Sequence, residues 1–295
     1  MMNQTTITPN GKADRATPRS MPRIVDLSIP IQVREGDPNV RSVERWTHEN
    51  GPALIGGYLA PVVAELRATL AEAGELHPDA RDRIDMDSFP EQLFLGNELL
   101  SLSNHAGTHL DAPFHYGPLC EGRRAKRIDE IPLEWCFGDG VVLRFRHKSA
   151  GETISALEIE QQLARIEYEV KPFDIVLIET GSDELLGSRE YFTAHPGMSV
   201  DATRFLVERG VKVIGVDTNG FDLPPRAMVE RYLRTGDPRQ LWACHMFGRE
   251  REYLQIEGLG GLHQLPEPYG FRVACTPIKI GDAGAGWARA FAMLG

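Results

Sequence analysis

The stretch from residue 141 to residue 216 decides the predicted fold class, because short apolar runs alternate in it with amphipathic segments. Its five segments are VVLRF (141–145), SALEIEQQLARI (155–166), DIVLI (174–178), VDATRFLVER (200–209) and VKVIGV (211–216). The first, third and fifth are rich in valine and isoleucine, which is typical of buried strands. The other two have helical spacing. One begins with a capping-box pattern from Ser155 to Glu158, and the other ends at Gly210.

This alternation predicts an α/β fold with at least some parallel strand pairs. Towards the N-terminus the sequence predicts a strand at 23–29, a loop at 32–57, a helix from Leu59 to Ala73, an irregular acidic segment at 75–92 and a strand at 95–103. Residues 1–21 are polar and without periodicity, and they are predicted to be a disordered tail. By length, residues 22–295 could form one large domain or two small ones.

The composition is that of an ordinary globular protein, and it excludes several classes of function. Hydrophobic residues make up 42% of the chain, and the formal net charge of -10 argues against a nucleic-acid partner. The one basic cluster, 123–127, precedes Asp129 and Glu130 and is predicted to be a self-compensated surface. Four widely spaced cysteines fit neither a disulfide scaffold nor a cysteine zinc site. Without a signal-peptide core or a membrane-length apolar run, the sequence predicts a cytoplasmic protein with no membrane partner.

Three histidines and an aspartate fall within one segment of eleven residues, HAGTHLDAPFH (105–115). Gly107 and Pro113 disfavour a helix, so the segment is predicted to be a strand end and turn. In an extended segment His109 and Asp111 project to the same side. Imidazole and carboxylate ligands suit Zn, Mn or Fe(II) and leave coordination positions open for activation of a water molecule. The alternative is that these residues are ordinary polar side chains in a solvent-facing loop. The clustering of three histidines and an aspartate disfavours that alternative.

Two further candidates lie downstream, His245 and Glu257. Taken alone, His245 is more readily explained as a structural histidine and Glu257 as a surface charge. Glu257 follows an apolar, strand-like stretch, and a buried carboxylate there would need a partner. A metal ion would supply that partner.

Residues 105–115 match every fixed position of the pattern HxGTHxDxPxH. In this the chain resembles the cyclase family of metal-dependent hydrolases, which includes bacterial kynurenine formamidase and isatin hydrolase. Weaker points of similarity are His195 to Val200, the strand ending at Asp217, the pair His245 and Glu257, and the closing segment Thr276 to Lys279. The resemblance extends over roughly residues 23–293.

The resemblance implies a role for each matching residue. His105, His109 and Asp111 resemble the ligands of a first metal. Asp111, His245 and Glu257 resemble a second site that shares Asp111. His115 resembles the general acid/base of the family, and a histidine near a metal site can fill that role without coordinating. The implied cofactor is a divalent metal, Zn or Mn, with one or two ions per chain.

The resemblance also implies that residues 22–295 form a single compact domain, with a β-barrel-like mixed sheet flanked by helices, and that the protein assembles as a homodimer or homotetramer. The segment before residue 100 is longer than expected for compact formamidases. We therefore predict an extended N-terminal insertion at about residues 45–95 that modifies the pocket or the subunit interface. Its aromatic residues Trp46, Tyr58, Phe89 and Phe94 are candidates for lining a substrate pocket, or for simple core packing.

The favoured function is a metal-dependent hydrolase that cleaves an amide, formamide or lactam C–N bond in a small aromatic or cyclic substrate by metal-activated water. The first alternative is a metal-dependent cyclase or dehydratase acting on a polyketide-like substrate. The second is a non-catalytic protein that binds a metal or another ligand. All proposed ligands and His115 occur together in the sequence, which favours an enzyme.

Overall fold

The computed structural model describes residues 22–295, and the predicted tail at 1–21 lies outside the described residues. The strands are β1 (Arg23–Asp26), β2 (Val40–Trp46), β3 (Asn97–Leu102), β4 (His109–Asp111), β5 (Leu119–Cys120), β6 (Arg123–Arg124), β7 (Phe137–Arg144), β8 (Thr153–Ile154), β9 (Ile175–Glu179), β10 (Gly197–Met198), β11 (Val213–Val216), β12 (Leu254–Glu257), β13 (Tyr269–Ala274), β14 (Ala285–Trp287) and β15 (Phe291–Leu294). The helices are α1 (Gly51–Ala73), α2 (Pro113–Tyr116), α3 (Ala156–Arg165), α4 (Glu190–Thr193), α5 (Val200–Val207), α6 (Pro225–Thr235) and α7 (Ala243–Phe247).

One nine-stranded mixed sheet forms the centre of the fold. Its strand order is β1-β15-β13-β7-β9-β11-β12-β4-β14. Strands β7, β9, β11 and β12 pair in parallel, and the remaining pairs are antiparallel. The sheet curls into a half-barrel flanked by helices, so the predicted α/β class, the parallel pairing and the barrel-like core are confirmed.

Both faces of the parallel strands are buried, which explains why they read as continuous apolar runs. In β9, Ile175 and Leu177 pack into one core cluster together with strands of the curled interior. The alternate residues Val176 and Ile178 pack into a second cluster against α3 and α5. Period-two alternation divides one apolar run between two cores.

Helix α3 begins as its sequence predicts. The hydroxyl of Ser155 accepts a hydrogen bond from the amide of Glu158, and the carboxylate of Glu158 accepts one from the amide of Ser155 at 2.9 Å. This reciprocal capping satisfies two amide groups that the first turn of a helix leaves unpaired.

The predicted loop at 32–57 is wrong over much of its length, since it contains β2 and the first turns of α1. Strand β2 pairs only with β3, so the two form a ribbon outside the main sheet. Charged residues on its exposed faces hide the strand pattern from an analysis of apolar periodicity. Helix α1 starts earlier than predicted because Pro52 suits a first helical turn, and it ends at Gly74 as predicted, with φ 71°.

Two smaller predictions are confirmed by the side-chain contacts. The four cysteines are buried and unbridged. The basic cluster is paired with acids: Arg124 with Glu130 at 2.5 Å, Lys126 with Glu252, and Arg127 with Asp282. Three of the four cationic side chains of the cluster are therefore neutralised by a neighbouring acid.

Candidate metal centre

The eleven-residue motif folds as a turn, a short strand and one turn of helix. His105 lies in the turn, His109 and Asp111 belong to β4, and His115 lies in α2. Because β4 is extended, His109 and Asp111 project to the same side, as the sequence predicts. Pro113 starts α2 and turns the chain back, so the ring centroid of His115 comes within 4.3 Å of that of His105.

Two glycines allow the first turn of the motif to pack against the turn that follows Glu257. Gly107 has φ +63° and Gly258 has φ +68°, a conformation that L side chains rarely adopt. A Cβ atom on Gly258 would lie 2.8 Å from the carbonyl oxygen of Gly107. The hydroxyl of Thr108 donates to the carbonyl of Gly258 at 2.5 Å and joins the same two turns. This contact places the turn after Glu257 beside the histidine motif.

Strand pairing brings the distant Glu257 to the motif. Strand β12 is antiparallel to β4, with Glu257 opposite His109. The amide of Phe221 donates to Oε1 of Glu257 at 2.8 Å and fixes the carboxylate. The carboxylate that the sequence could equally assign to the surface is therefore buried.

Asp111 is the central side chain of the cluster, and its two oxygens face different histidines. Oδ1 lies 3.0 Å from Nδ1 of His105 and 3.6 Å from Nε2 of His109. Oδ2 lies 3.8 Å from Nε2 of His115 and 3.8 Å from Nε2 of His245. A carboxylate with oxygens facing two separate groups of nitrogen atoms has the arrangement needed to bridge two cations.

Glu257 completes the cluster from the other side. Its Oε2 lies 3.6 Å from Nε2 of His109, and its Oε1 lies 3.7 Å from Nε2 of His245. The six predicted site residues are thus brought together around one small volume. These six residues are His105, His109, Asp111, His115, His245 and Glu257.

The donor set fits a divalent metal ion. Ligand atoms that are about 2.0–2.2 Å from one ion lie roughly 3–4 Å from each other, as these atoms do. Both oxygens of Asp111 and Nε2 of His109 are buried and have no hydrogen-bond partner. Buried polar atoms without partners are costly, and a cation would satisfy all three.

Within the described residues, two groups of side chains have donor atoms close enough to hold an ion. One is His109, Asp111 and Glu257, and the other is His105, Asp111 and His115. His115 is thus also within reach as a ligand, in addition to the acid/base role that the resemblance implies. His115 and His105 are the most accessible members of the cluster, with 32% and 24% of their side chains exposed, and they mark its open side.

The electrostatics of the cluster follow from burial and mutual proximity. Burial alone would raise the pKa of Asp111, yet the surrounding imidazoles, led by His109, lower it below its usual range. Burial and the charge of Asp111 raise the pKa of Glu257. Burial lowers the pKa of His115 to about 4. Burial opposes protonation of His245, but its contact with Asp222 and the nearby Glu257 raise its pKa to about 9.

Hydrogen bonds to the opposite ring nitrogen orient two of the histidines. Nδ1 of His109 lies 2.9 Å from the carbonyl oxygen of Gly107, which can only accept. Nδ1 of His245 lies 2.6 Å from Oδ2 of Asp222. Each Nδ1 therefore carries a proton. In the neutral ring, which is the form that binds metal, each Nε2 would direct a lone pair at the cluster.

Asp222 is a residue of the candidate site that the sequence analysis missed. It is buried, and its carboxylate accepts from the amides of Cys244 at 2.7 Å and His245 at 3.2 Å as well as from the His245 ring. The available signal was an acid inside the apolar segment Phe221-Asp222-Leu223, since a buried acid needs partners.

Other residues singled out by the sequence lie outside the cluster. His195 is buried, and its Nδ1 contacts the carbonyl oxygen of Pro196 at 2.8 Å. Tyr58 is 76% exposed, and Phe89 and Phe94 pack on each other with ring centroids 4.5 Å apart. These three aromatic side chains contact neither the cluster nor the main core.

The curled α/β sheet and the buried histidine–carboxylate cluster together define the class of this protein, an α/β protein with a candidate metal centre. The model of the Cyclase family matches residues 25–223, which is more than half of the chain. The chain therefore belongs to the Cyclase family.

A kynurenine formamidase from Bacillus cereus is 28% identical over 123 residues, which are 42% of this chain and 51% of that protein. The chain thus spans about half the length of the curated relatives it matches. An isatin hydrolase bound to the product analogue thioisatinate has a TM-score of 0.62 at 18% identity, over 92% of both chains. A structure described as a potential metal-dependent hydrolase with cyclase activity gives 0.53 at 18%, over 92% of this chain and 96% of that one. At these identities the structural matches support the fold alone.

Proposed function

We propose that this chain is a metal-dependent hydrolase that cleaves the C–N bond of an amide, formamide or lactam in a small aromatic or cyclic substrate. One observation carries the proposal. The carboxylate of Asp111 is completely buried, has no hydrogen-bond partner, and lies between four imidazoles and a second carboxylate. Such an arrangement is costly without a cation and is typical of metal centres that act on carbonyl compounds.

The substrate class is supported by the relatives. Kynurenine formamidase and isatin hydrolase are both named for substrates in which a carbonyl carbon is bonded to nitrogen beside an aromatic ring. The similarity supports a small cyclic or aromatic compound with a hydrolysable C–N bond.

We propose that the cofactor is Zn or Mn, one or two ions per chain. By the family resemblance, His105, His109 and Asp111 would hold one ion, and Asp111, His245 and Glu257 the other. The donor atoms that lie within 4.8 Å of one another group His109 with Glu257 and His105 with His115 instead. A divalent metal at this position polarises a carbonyl group and lowers the pKa of a water molecule. The imidazole and carboxylate donors suit both metals.

The residues of the chain supply the rest of the chemistry. The buried side chains of His109 and Glu257 exclude bulk water from the inner side of the cluster. The open side is bordered by His115. A substrate that entered from this side would have its leaving nitrogen within reach of that imidazole. We propose that Nε2 of His115 accepts the proton that the attacking water releases and then delivers it to the leaving nitrogen, so that the ring ends neutral as it began.

The first test is elemental analysis of the purified protein, expressed as metal ions per chain. We expect one or two ions of Zn or Mn, and removal by a chelator should lower the thermal midpoint because metal binds only the folded chain. Hydrolysis of N-formyl aromatic amines, isatin-type lactams and lactones should disappear on chelation and return on reconstitution. A metal-free protein with full activity would contradict the proposal.

Isotope labelling distinguishes hydrolysis from the alternative cyclase or dehydratase reaction. In water labelled with oxygen-18, hydrolysis incorporates one labelled oxygen into the product, whereas cyclisation with loss of water does not. Metal binding without turnover of any carbonyl substrate in the panel would instead support the binding-only alternative.

A further inference from the structure

A loop of the chain, residues 30–38, is fixed at both ends to the first turn of the histidine motif. Just before the loop, the amide of Ile29 donates to the hydroxyl of Thr108 at 2.9 Å. Just after it, the carbonyl of Asn39 accepts from the amide of Ser103 at 2.7 Å. The loop therefore runs beside the candidate metal centre.

Arg34, in the middle of this loop, carries a buried positive charge. Only 9% of the residue is exposed. Its Nη2 donates to the carbonyl of Pro30 at 2.7 Å, whereas its Nε is buried and has no hydrogen-bond partner among residues 22–295. Burial lowers the pKa of Arg34 below its usual range, and the charge of Asp37 offsets this only in part. A buried guanidinium is normally paired with an anion, because the loss of its hydration is costly.

The hydroxyl of Tyr191 is a second unpaired polar group beside the loop. Tyr191 is 1% exposed, and its oxygen has no hydrogen-bond partner in the described part of the chain. It packs in one buried apolar cluster with Ile29 and Phe192, and a Cβ atom on Gly36 would lie 3.5 Å from the Phe192 ring. Burial raises the pKa of Tyr191 above its usual range, although the nearby charge of Arg34 opposes this. The hydroxyl therefore stays protonated and can donate.

The loop passes from the buried side of the metal centre to its open side. At its start, Cδ1 of Ile29 lies 3.3 Å from the position of a Cβ atom on Gly258, the residue after Glu257. The charge of Glu257 also acts on the Tyr191 hydroxyl and raises its pKa. At its end the loop meets the residues that precede the accessible His105. The two unpaired groups thus adjoin the side chains that would hold the metal.

The acids whose charges act most on these two groups are already engaged elsewhere. Asp217, beside Tyr191, accepts from the hydroxyl and the amide of Thr180 at 2.6 Å and 2.8 Å. Asp37, beside Arg34, accepts from the amide of its own loop at residue 39, at 2.8 Å. The charge of the guanidinium is therefore left for an anion that the chain does not supply.

We propose that Arg34 and Tyr191 bind a carboxylate of the substrate, so that the substrate is an organic anion whose acidic group is separate from its scissile C–N bond. The inference rests on the proposed hydrolase function and specifies its substrate class. A carboxylate fits because a guanidinium presents N–H groups in one plane to its two oxygens, and the tyrosine hydroxyl adds a further donor. A doubly charged phosphate fits less well, since Asp217 and Glu257 repel it more strongly.

The first experiment measures release of formate from N-formyl aromatic amines that carry a carboxylate at increasing distances from the formamide. Each compound is compared with a neutral counterpart in which a primary carboxamide replaces the carboxylate. For the carboxylate that reaches Arg34, kcat/KM should be about 100-fold higher than for its counterpart, mainly through a lower KM. Arg34→Gln should abolish this preference.

The comparison between parent and variant removes the intrinsic reactivity of the two compounds, because the same pair is used for both proteins. Arg226→Gln, which alters an exposed arginine of α6, is the matched control and should keep the preference. Metal content should be the same in the parent, in Arg34→Gln and in Arg226→Gln.

A second experiment needs no turnover. The metal-loaded protein is titrated in a calorimeter with aromatic carboxylates that lack the formamide group. Affinity should fall about 100-fold in Arg34→Gln and about 10-fold in Tyr191→Phe, whereas binding to the metal alone would persist in both. The thermal midpoint of ligand-free Tyr191→Phe should not fall, because the hydroxyl removed has no partner in the folded chain.

Three outcomes would overturn the proposal. They are equal rates and affinities for carboxylates and carboxamides across the series, a preference that survives Arg34→Gln, and a Tyr191→Phe protein that is less stable yet binds the anion as the parent does. The last result would indicate a water molecule held between the two groups. Failure of the hydrolase assignment looks different, because no compound is then turned over and the titration still separates the parent from Arg34→Gln.

Discussion

The metal centre and an arm of the chain, residues 40–102 with β2, α1 and β3, differ in which side chains are buried against expectation. The metal centre buries polar atoms, and the arm exposes apolar ones. At the metal centre, the carboxylate of Asp111 and Nε2 of His109 are buried without a hydrogen-bond partner. On the arm, apolar side chains such as Tyr58 and Leu95 are 76% and 71% exposed. Buried unpaired polar atoms and exposed apolar surfaces both raise the free energy of a folded chain.

The comparison indicates what kind of partner each region requires. A cluster of buried anionic and imidazole atoms is satisfied by a small cation. Exposed apolar side chains, such as those of the arm, are removed from water only by a complementary apolar surface, which must be large. The two regions are connected through Ser103, whose carbonyl accepts from the Trp287 indole at 3.0 Å and whose hydroxyl accepts from the amide of His105. The following predictions test whether the regions behave independently.

Asp111→Ala should have the largest effect, because both candidate sites share this carboxylate. We expect loss of bound metal and a fall in kcat/KM of about 1,000-fold or more on any substrate that the parent hydrolyses. Elemental analysis and steady-state kinetics measure the two effects. The exposed Asp139→Ala is the matched control. An Asp111→Ala protein with full metal content would refute the assignment of Asp111 as the shared ligand.

His115→Ala should lower turnover while leaving metal content close to that of the parent. Loss of a positioned proton donor reduces kcat by about 100-fold to 10,000-fold. Metal content and kcat are measured together, with the exposed His263→Ala as control. Should the variant lose an ion as well, His115 is a ligand in the group with His105 and Asp111, and its acid/base role is wrong.

Asp222→Asn should weaken one metal site selectively. Three donors face the carboxylate, namely two amides and the His245 ring, so an asparagine amide group always meets at least one N–H. If the asparagine amide group faces Nδ1 of His245, the ring proton moves to Nε2, and His245 cannot bind metal through that atom. We expect about 10-fold to 100-fold lower affinity for one ion.

Competition of Asp222→Asn with a metal-sensitive chelator dye measures this effect, and the thermal midpoint of the metal-free protein should change little. Asp183→Asn, which alters a carboxylate that accepts from the amide of Gly261 at 2.9 Å, is the control. Equal weakening of both ions would mean that Asp222 supports the whole fold of the site and not His245 alone.

Arg67→Ala should have the smallest effect and should stay within the arm. The variant loses two hydrogen bonds to the carbonyls of Ala80 and Arg81, which we expect to cost about 1 kcal/mol of local stability. Limited trypsin digestion should cut faster after Arg81 and Arg83, whereas metal content and kcat should not change. A change in metal content would show that the two regions are coupled through Ser103.

Much of the fold follows from local patterns in the sequence. The parallel strands β9 and β11 are predicted because burial on both faces requires continuous apolar runs. The start of α3 is predicted from Ser155 and Glu158, and the end of α1 from Gly74, since capping depends on neighbouring residues. Strand β2 was missed because only its pairing with β3 identifies it.

The residues of the candidate site also divide into those that the sequence alone could identify and one that it could not. His105, His109, Asp111 and His115 could be recognised together because eleven residues are too few to separate them widely. Asp222 could not be recognised, because its importance comes from a contact with His245, 23 residues later in the chain.

The sequence by itself determined a histidine–aspartate motif of metal-ligand type and an α/β pattern, since both depend on residues close together along the chain. Only the tertiary structure decided that Glu257 lies opposite His109, 148 residues away in the chain, and that apolar side chains of α1 such as Tyr58 and Leu66 are exposed. Strand register and the covering of surfaces depend on contacts between distant segments, and periodicity within one segment does not specify which segment it meets.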